Sequence, residues 1–271
     1  MATYPALRSR ATYGCRLIIV DGSPFTVHRS VKMALHLVAR WHARYERLIR
    51  FLRARFEREE YLGLHLTVGF LISLAGLALF AIIAREVVQQ RALTEVDLSV
   101  HAWLRSNATL FGYGFWSLIS ALGGGPAILV IGVGTILLLA LRRRFMLVGG
   151  WIAALAGGGA LDGALKLAFR RPRPDTAVDF LSQASWSFPS GHSLGSLVTY
   201  GMLAYVISVE FTQSRSVRPW VVVAGGAMVL AVGLSRLYLG VHYFSDVLGG
   251  FAAGGLWLSA CISGLEVARR L

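Results

Sequence analysis

The chain has 271 residues, 55% of them hydrophobic and only 15% charged, with a mean hydropathy of +0.60 and a formal net charge of +13. Such values exclude an ordinary soluble domain and indicate a polytopic membrane protein, long enough for about six helices of roughly 20 residues across a hydrocarbon core of about 30 Å. The positive charge comes almost entirely from arginines flanking apolar runs, which points to anionic lipid headgroups and away from nucleic acid.

The first apolar patch, CRLIIV, is short and runs at once into DGSP, so no cleavable leader is expected and the start of the chain is expected to stay cytoplasmic. From Val27 to Glu60, Val31, Leu35, Val38, Tyr45, Leu48, Leu52 and Phe56 recur at three- to four-residue spacing between arginines, which predicts a basic amphipathic helix. Such a helix anchors on anionic headgroups of the inner leaflet or docks on the protein's own spans. His28, His36 and His42 lie in it without carboxylate or cysteine partners at ligand spacing. Residues 1–60 are accordingly set apart from a six-span domain over 61–271. Cys15 and Cys261 stand at opposite ends of the chain and read as packing residues, not as a disulfide or metal framework.

The first span is expected over Leu62 to Ala84, followed by a short amphipathic helix on the far surface from Asp97 to Asn107. Ala108 to Leu122 is too short to cross alone and leads into Pro126 to Leu141, with a break at Gly123 to Pro126. Arg142, Arg143 and Arg144 form a basic turn before a glycine- and alanine-rich third span, Phe145 to Phe169, whose small residues permit close helix approach. A polar loop from Arg170 to Phe188 precedes a fourth span from Pro189 to Val209, a fifth from Trp220 to Leu237 and a sixth from His242 to Leu265. The expected fold is all-α, a six-helix membrane bundle.

With both termini inside and only the residues near the spans counted, from Arg44 onward, thirteen arginines lie on the inner side and eight arginines and lysines on the outer, the bias that favours this orientation. Parity then brings three polar segments to the outer face: KLAFRRPRP (Lys166 to Pro174), PSGH (Pro189 to His192) and SRLYLGVHYFSD (Ser235 to Asp246). Together they hold what phosphate chemistry needs. Lys166 offers a point charge and Arg173 a planar fork for phosphoryl oxygens. Ser190 is placed to cap a helix, and Gly191 lets an anion approach the backbone N–H groups of its first turn. His242 and Asp246 are four apart, one helical turn, so the carboxylate can hold one ring nitrogen while the other attacks, with Arg236 as a nearby clamp. Asp162, one turn before Lys166, is a candidate to position it. Arg170 and Arg171 read as solvated loop charges, and His65 and His101 as packed or interfacial residues. Trp186, Phe188, Tyr238, Tyr243 and Phe244 suit an aromatic belt or guidance of a lipid chain.

The three segments match KxxxxxxRP, PSGH and SRxxxxxHxxxD through Lys166, Arg173 and Pro174, then Pro189 to His192, then Ser235, Arg236, His242 and Asp246. In this the chain resembles the type 2 phosphatidic acid phosphatase superfamily from about Gly149 to Gly250. The resemblance implies a metal-independent, cofactor-free, two-step phosphoryl transfer. His242 would form a phosphohistidine oriented by Asp246, and His192 would protonate the leaving oxygen and then activate water. Lys166, Arg173, Ser190, Gly191 and Arg236 would bind the phosphoryl oxygens.

The leading expectation is a lipid phosphatase of the cytoplasmic membrane with its site on the extracytoplasmic face, acting on phosphatidic acid, phosphatidylglycerophosphate or undecaprenyl diphosphate. A phosphotransferase would use the same residues with a different second step. A non-catalytic lipid or anion carrier would use the polar cluster as a path, and a haloperoxidase is disfavoured by a chain that spends its length crossing lipid.

Overall fold

Six helices long and apolar enough to cross a membrane dominate a computed structural model that describes residues 61–174, 186–212 and 214–269. The helix expected between Val27 and Glu60 lies outside the described residues, as does the middle of the loop after the third span. In chain order the helices are α1 (Tyr61–Val88), α2 (Ala92–Ser106), α3 (Leu110–Leu122), α4 (Gly125–Leu141), α5 (Phe145–Phe169), α6 (Gly191–Val206), α7 (Arg218–Tyr238) and α8 (Phe244–Ala268), with a π turn, Ile207–Phe211, extending α6. Among the described residues there is no strand.

The second candidate span, Leu110–Leu141, consists of α3 and α4 in series. Thr109 starts α3 by accepting the Gly112 N–H on its Oγ1 at 3.1 Å. Gly123 and Gly124 end it, and Pro126 opens α4 where no backbone donor is needed. The expected break is therefore present. Boundaries differ from expectation in places, and α2 starts at Ala92, ahead of the expected Asp97. The first helix continues to Val88, with Arg85 in its last turn where a cation complements the helix dipole. The sixth begins only at Phe244, because Gly240 turns the chain with φ of 70° and Tyr243 is the N-cap. His242 consequently stands in a turn before the helix, and its pairing with Asp246 is not the one-turn helical pairing that the spacing suggests.

Helix α8 is the central post: α1, α6 and α5 all pack on it, while α6 contacts α5 and α7, and α3 packs on α7. Small residues allow this, as expected for the third span. The Trp257 ring sits so close to Gly157 that a Cβ there would lie 2.9 Å from its Cε2, and its indole N–H donates to the Ala154 carbonyl at 2.9 Å. Leu139, Leu147, Trp151, Val198, Met202, Val206 and Ala253 fill the buried core. Phe70, Leu129, Val130, Leu141 and Val222 are all more than half exposed, as apolar side chains facing lipid would be. The amphipathic helix α2 packs against α7 and α8, and its Asp97 meets the loop after α5 and the start of α8. That end of the bundle holds the three motif segments.

Candidate active site

Asp246 sits at the third position of α8 and accepts the Tyr243 N–H on Oδ2 at 2.9 Å, so its carboxylate folds back over the helix start. That brings Oδ2 to 3.5 Å from His242 Nδ1. The same Oδ2 takes a short hydrogen bond from the Ser187 hydroxyl, which also lies 3.4 Å from His242 Nδ1. The carboxylate thus faces Nδ1. His242 is only 2% exposed. Burial pushes its imidazole down to about 4; Asp246 pulls upward, and Arg236 and Arg173 add to the fall. Such a shift favours the neutral form of the ring.

Lys166, in the last turn of α5, places Nζ 2.8 Å from Asp162 Oδ2 one turn back, so the expected pairing is present. Gly191 explains how the pair reaches the start of α6: a Cβ there would lie 2.7 Å from Lys166 Nζ and 2.9 Å from Asp162 Oδ2. The glycine makes room for the cation beside the helix N-terminus. Ser190 is the N-cap of α6, as expected; its buried hydroxyl accepts the Ser193 N–H at 3.4 Å, and its own N–H donates to the Asp246 carbonyl at 2.9 Å. PSGH and the start of α8 are thereby joined through the main chain. Arg173 donates from Nη1 to the Val241 carbonyl at 3.3 Å, beside His242. Arg236 ends α7, 9% exposed, and donates to the Ser120 hydroxyl of α3.

His192, the second residue of α6, has Arg236, His242, Lys166 and Arg173 as its electrostatic neighbours. A Cβ on Gly124 would lie 3.7 Å from its Nε2, so the break between α3 and α4 passes beside this ring. A cavity of about 290 Å³ has its polar end at Lys166, Asp162, Gly191 and His192 and continues between Ile128, Leu155 and Val198. Next to it, sharing Gly125, Ile128 and Leu155, an apolar groove of about 350 Å³ runs between α4 and α5 past Leu129, Val133 and Ile152. His242 is not on the wall of either.

All eight candidate site residues lie at one end of the bundle. Sequence reasoning passed over four others. Arg171 is not a solvated loop charge: 12% exposed, it reaches Asp246 Oδ1 at 2.7 Å and Asp97 Oδ2 at 2.8 Å, and its guanidinium lies 4.4 Å from the centre of the Tyr243 ring. Burial opposes its charge, but Asp246 and Asp97 outweigh this and raise its pKa. Asp97, Ser187 and Ser120 complete the set. Their partners lie far along the chain, so only the juxtaposition of Arg171 with a motif arginine two residues on was a signal in the sequence. Arg170, in contrast, is exposed and turns the chain out of α5 with φ of 43°.

The aromatic residues divide. Phe188 is fully buried, with ring centres 5.7 Å from Phe80 and 5.0 Å from Phe169, and so belongs to the core. The Tyr238 hydroxyl accepts the Thr109 N–H at 3.0 Å, tying α7 to the start of α3. His101 packs beside Tyr243 at 6.1 Å between ring centres.

The family model for the PAP2 superfamily matches residues 147–270. Phosphatidylglycerophosphatase B of Bacillus subtilis is 39% identical over 94 residues, 35% of this chain and 46% of that protein. A lipid A 1-phosphatase of Rhizobium etli is 35% identical over 123 residues, 40% of this chain and 48% of that one. The chain thus spans about half the length of these curated relatives. Among solved structures, that of a transmembrane PAP2-type phosphatidylglycerolphosphate phosphatase from Bacillus subtilis superimposes with a TM-score of 0.64 at 27% identity, covering 73% of this chain and 98% of that one.

Proposed function

From the match of residues 147–270 to the PAP2 superfamily we propose that the chain is a membrane lipid phosphatase working through a phosphohistidine on His242. The observation that carries this is the site's layout. His192 and Lys166 line the polar end of a cavity whose other end is apolar and adjoins a groove between α4 and α5, and His242, Arg173 and Arg236 are electrostatic neighbours of His192. A phosphorylated headgroup fits the first part and a lipid chain the second.

The residues suggest the following steps. The phosphoryl group enters beside Lys166 and the N-terminus of α6, where cation and backbone donors favour an anion. From there it must move to the buried His242. His242 attacks phosphorus through Nε2; the P–N bond forms as the P–O bond to the lipid breaks, and a proton reaches the leaving oxygen through His192. The ring of the intermediate gains positive charge at Nδ1–H, which Asp246 stabilises. Water then attacks phosphorus, passing a proton to His192, and inorganic phosphate leaves as the P–N bond breaks. Lys166, Arg173 and Arg236 favour the charge that gathers on the equatorial oxygens, and each such donor is worth about 3 to 4 kcal/mol in comparable sites. No step uses a metal ion or a cofactor.

Supporting substrates are a phosphate monoester or diphosphate on a lipid: phosphatidylglycerophosphate and lipid A phosphate by similarity to the named relatives, phosphatidic acid and undecaprenyl diphosphate by chemistry. The arginine asymmetry supports an active site on the extracytoplasmic face of the cytoplasmic membrane, which an impermeant thiol reagent would test at an Asn107→Cys substitution in a chain without Cys15 and Cys261. The function itself is tested by phosphate release from these lipids by the detergent-purified protein in EDTA, for wild type and His242→Ala. Release that persists in chelator and disappears in the variant is expected. Transfer to an added acceptor without free phosphate would instead make the enzyme a phosphotransferase, and no turnover of any lipid would return the cluster to a carrier.

A further inference from the structure

The carboxylate that faces His242 is itself held by a chain of charges reaching α2, a helix outside the matched residues 147–270. Asp97 is 1% exposed although it lies on an amphipathic surface helix. Its Oδ1 accepts the Ser245 N–H at 2.8 Å, and its Oδ2 accepts both the Ser245 hydroxyl and Arg171 Nη2, the latter at 2.8 Å. From its other side Arg171 donates through Nη1 to Asp246 Oδ1 and to Ser245 Oγ, each at 2.7 Å. Every polar position around Asp246 is then assigned: Oδ1 to Arg171, Oδ2 to Ser187, the Tyr243 N–H and His242.

Two consequences follow from charge and geometry. The fork of Arg171 spans two carboxylates and fixes the plane of Asp246, so the tilt of the carboxylate toward His242 is set from α2 and the loop after α5. The charge of Arg171 would, alone, cancel that of Asp246; Asp97 returns the trio to a net negative charge, which remains available to the imidazole when it becomes positive. We infer that Asp97 and Arg171 are positioning residues for phosphoryl transfer, orienting Asp246 and preserving its charge toward His242. The inference rests on the phosphatase reading above, and it assigns a role to α2 that no motif contains.

The two residues should act with opposite sign on the nucleophile's titration. The charged and titratable groups acting on His242 are Asp246, Arg236, Arg173 and His192, with Arg171 and Asp97 behind Asp246 and Lys166 beside His192. Asp97→Asn leaves an excess positive charge and should move the acidic limb of kcat/KM to lower pH; Arg171→Gln leaves excess negative charge and should move it to higher pH. A merely structural pair would shift neither, or both alike. Loss of an orienting partner typically costs about 10- to 100-fold, and that loss is expected in kcat for folded Asp97→Asn, with KM little changed. Arg171→Lys, which keeps the charge but cannot bridge both carboxylates, should lose kcat on the same scale and serves if Asp97→Asn does not fold. Wild-type kcat in either folded variant, or limbs that move in the same direction, overturns the inference while the phosphatase reading stands. A wild-type protein without phosphatase activity overturns both.

Discussion

His242 Nδ1 stands 3.5 Å from Asp246 Oδ2, and the two are joined across a helix start, not along a helix. Asp246 does two jobs with one oxygen, capping α8 at the Tyr243 N–H and facing the imidazole. Asp246→Asn keeps the shape but removes the charge and offers N–H groups where an acceptor is needed. The kcat is expected to fall by roughly 10⁴-fold, the scale seen when a catalytic histidine loses the carboxylate that sets its tautomer. Steady-state phosphate release, with circular dichroism to verify the helices, measures it.

Gly191→Ala tests whether Lys166 must sit against the start of α6. The added methyl would come within 2.7 Å of Lys166 Nζ, and the flexible lysine end would yield before the backbone does. Displacement of a positioning group by about 1 Å costs on the order of 10²-fold. We expect a loss of that size in kcat/KM with an unchanged melting temperature; normal activity would remove Lys166 from the binding site in this arrangement.

Gly159 lines the cavity, and a Cβ there would meet nothing within 4 Å. Gly159→Leu should therefore fold, yet fill space that the account gives to the lipid. The KM for a long-chain phosphatidylglycerophosphate is expected to rise while a short-chain analogue is hydrolysed as before. An equal effect on both substrates would place the chain elsewhere.

The His242 imidazole, held down to about 4 by burial against the ordinary 6.5, binds its proton only in strongly acidic solution. The reactive form is the neutral one, so the nucleophile stays competent as pH falls from neutrality and is lost only near the lower value. Histidine ¹⁵N shifts, assigned by comparison with His242→Gln, report this directly. A midpoint near the ordinary value would show that the ring is not buried as described.

Much of this was legible in the sequence, for physical reasons that vary by element. Spans such as Phe145–Phe169 are bounded by arginines, and a run that must satisfy lipid along its whole length leaves little freedom in its limits. The three polar segments were legible because cations, a helix-capping serine and imidazoles recur there between apolar spans, and the structure brings them to one end of the bundle. Less legible was the local geometry: the spacing of His242 and Asp246 suggested a helical turn, and Gly240 placed the histidine before the helix instead. Least legible were Asp97 and Ser187. Each is an ordinary polar residue in its own segment and acquires meaning only through partners brought up by the fold, Asp97 through Ser245 and Arg171, Ser187 through Asp246. Arg171 was misread because an arginine in a polar loop is usually solvated, whereas here α2 covers it.

The central claim is that His242 becomes covalently phosphorylated. The most direct measurement is rapid acid-free quenching of the purified protein with a ³²P-labelled lipid phosphate, followed by alkaline peptide mapping. The account expects a base-stable, acid-labile phosphopeptide containing His242, absent from His242→Ala and accumulating in His192→Ala with a substrate whose leaving group needs no proton. Label that appears on no residue while phosphate is still released, or that persists in His242→Ala, would contradict it.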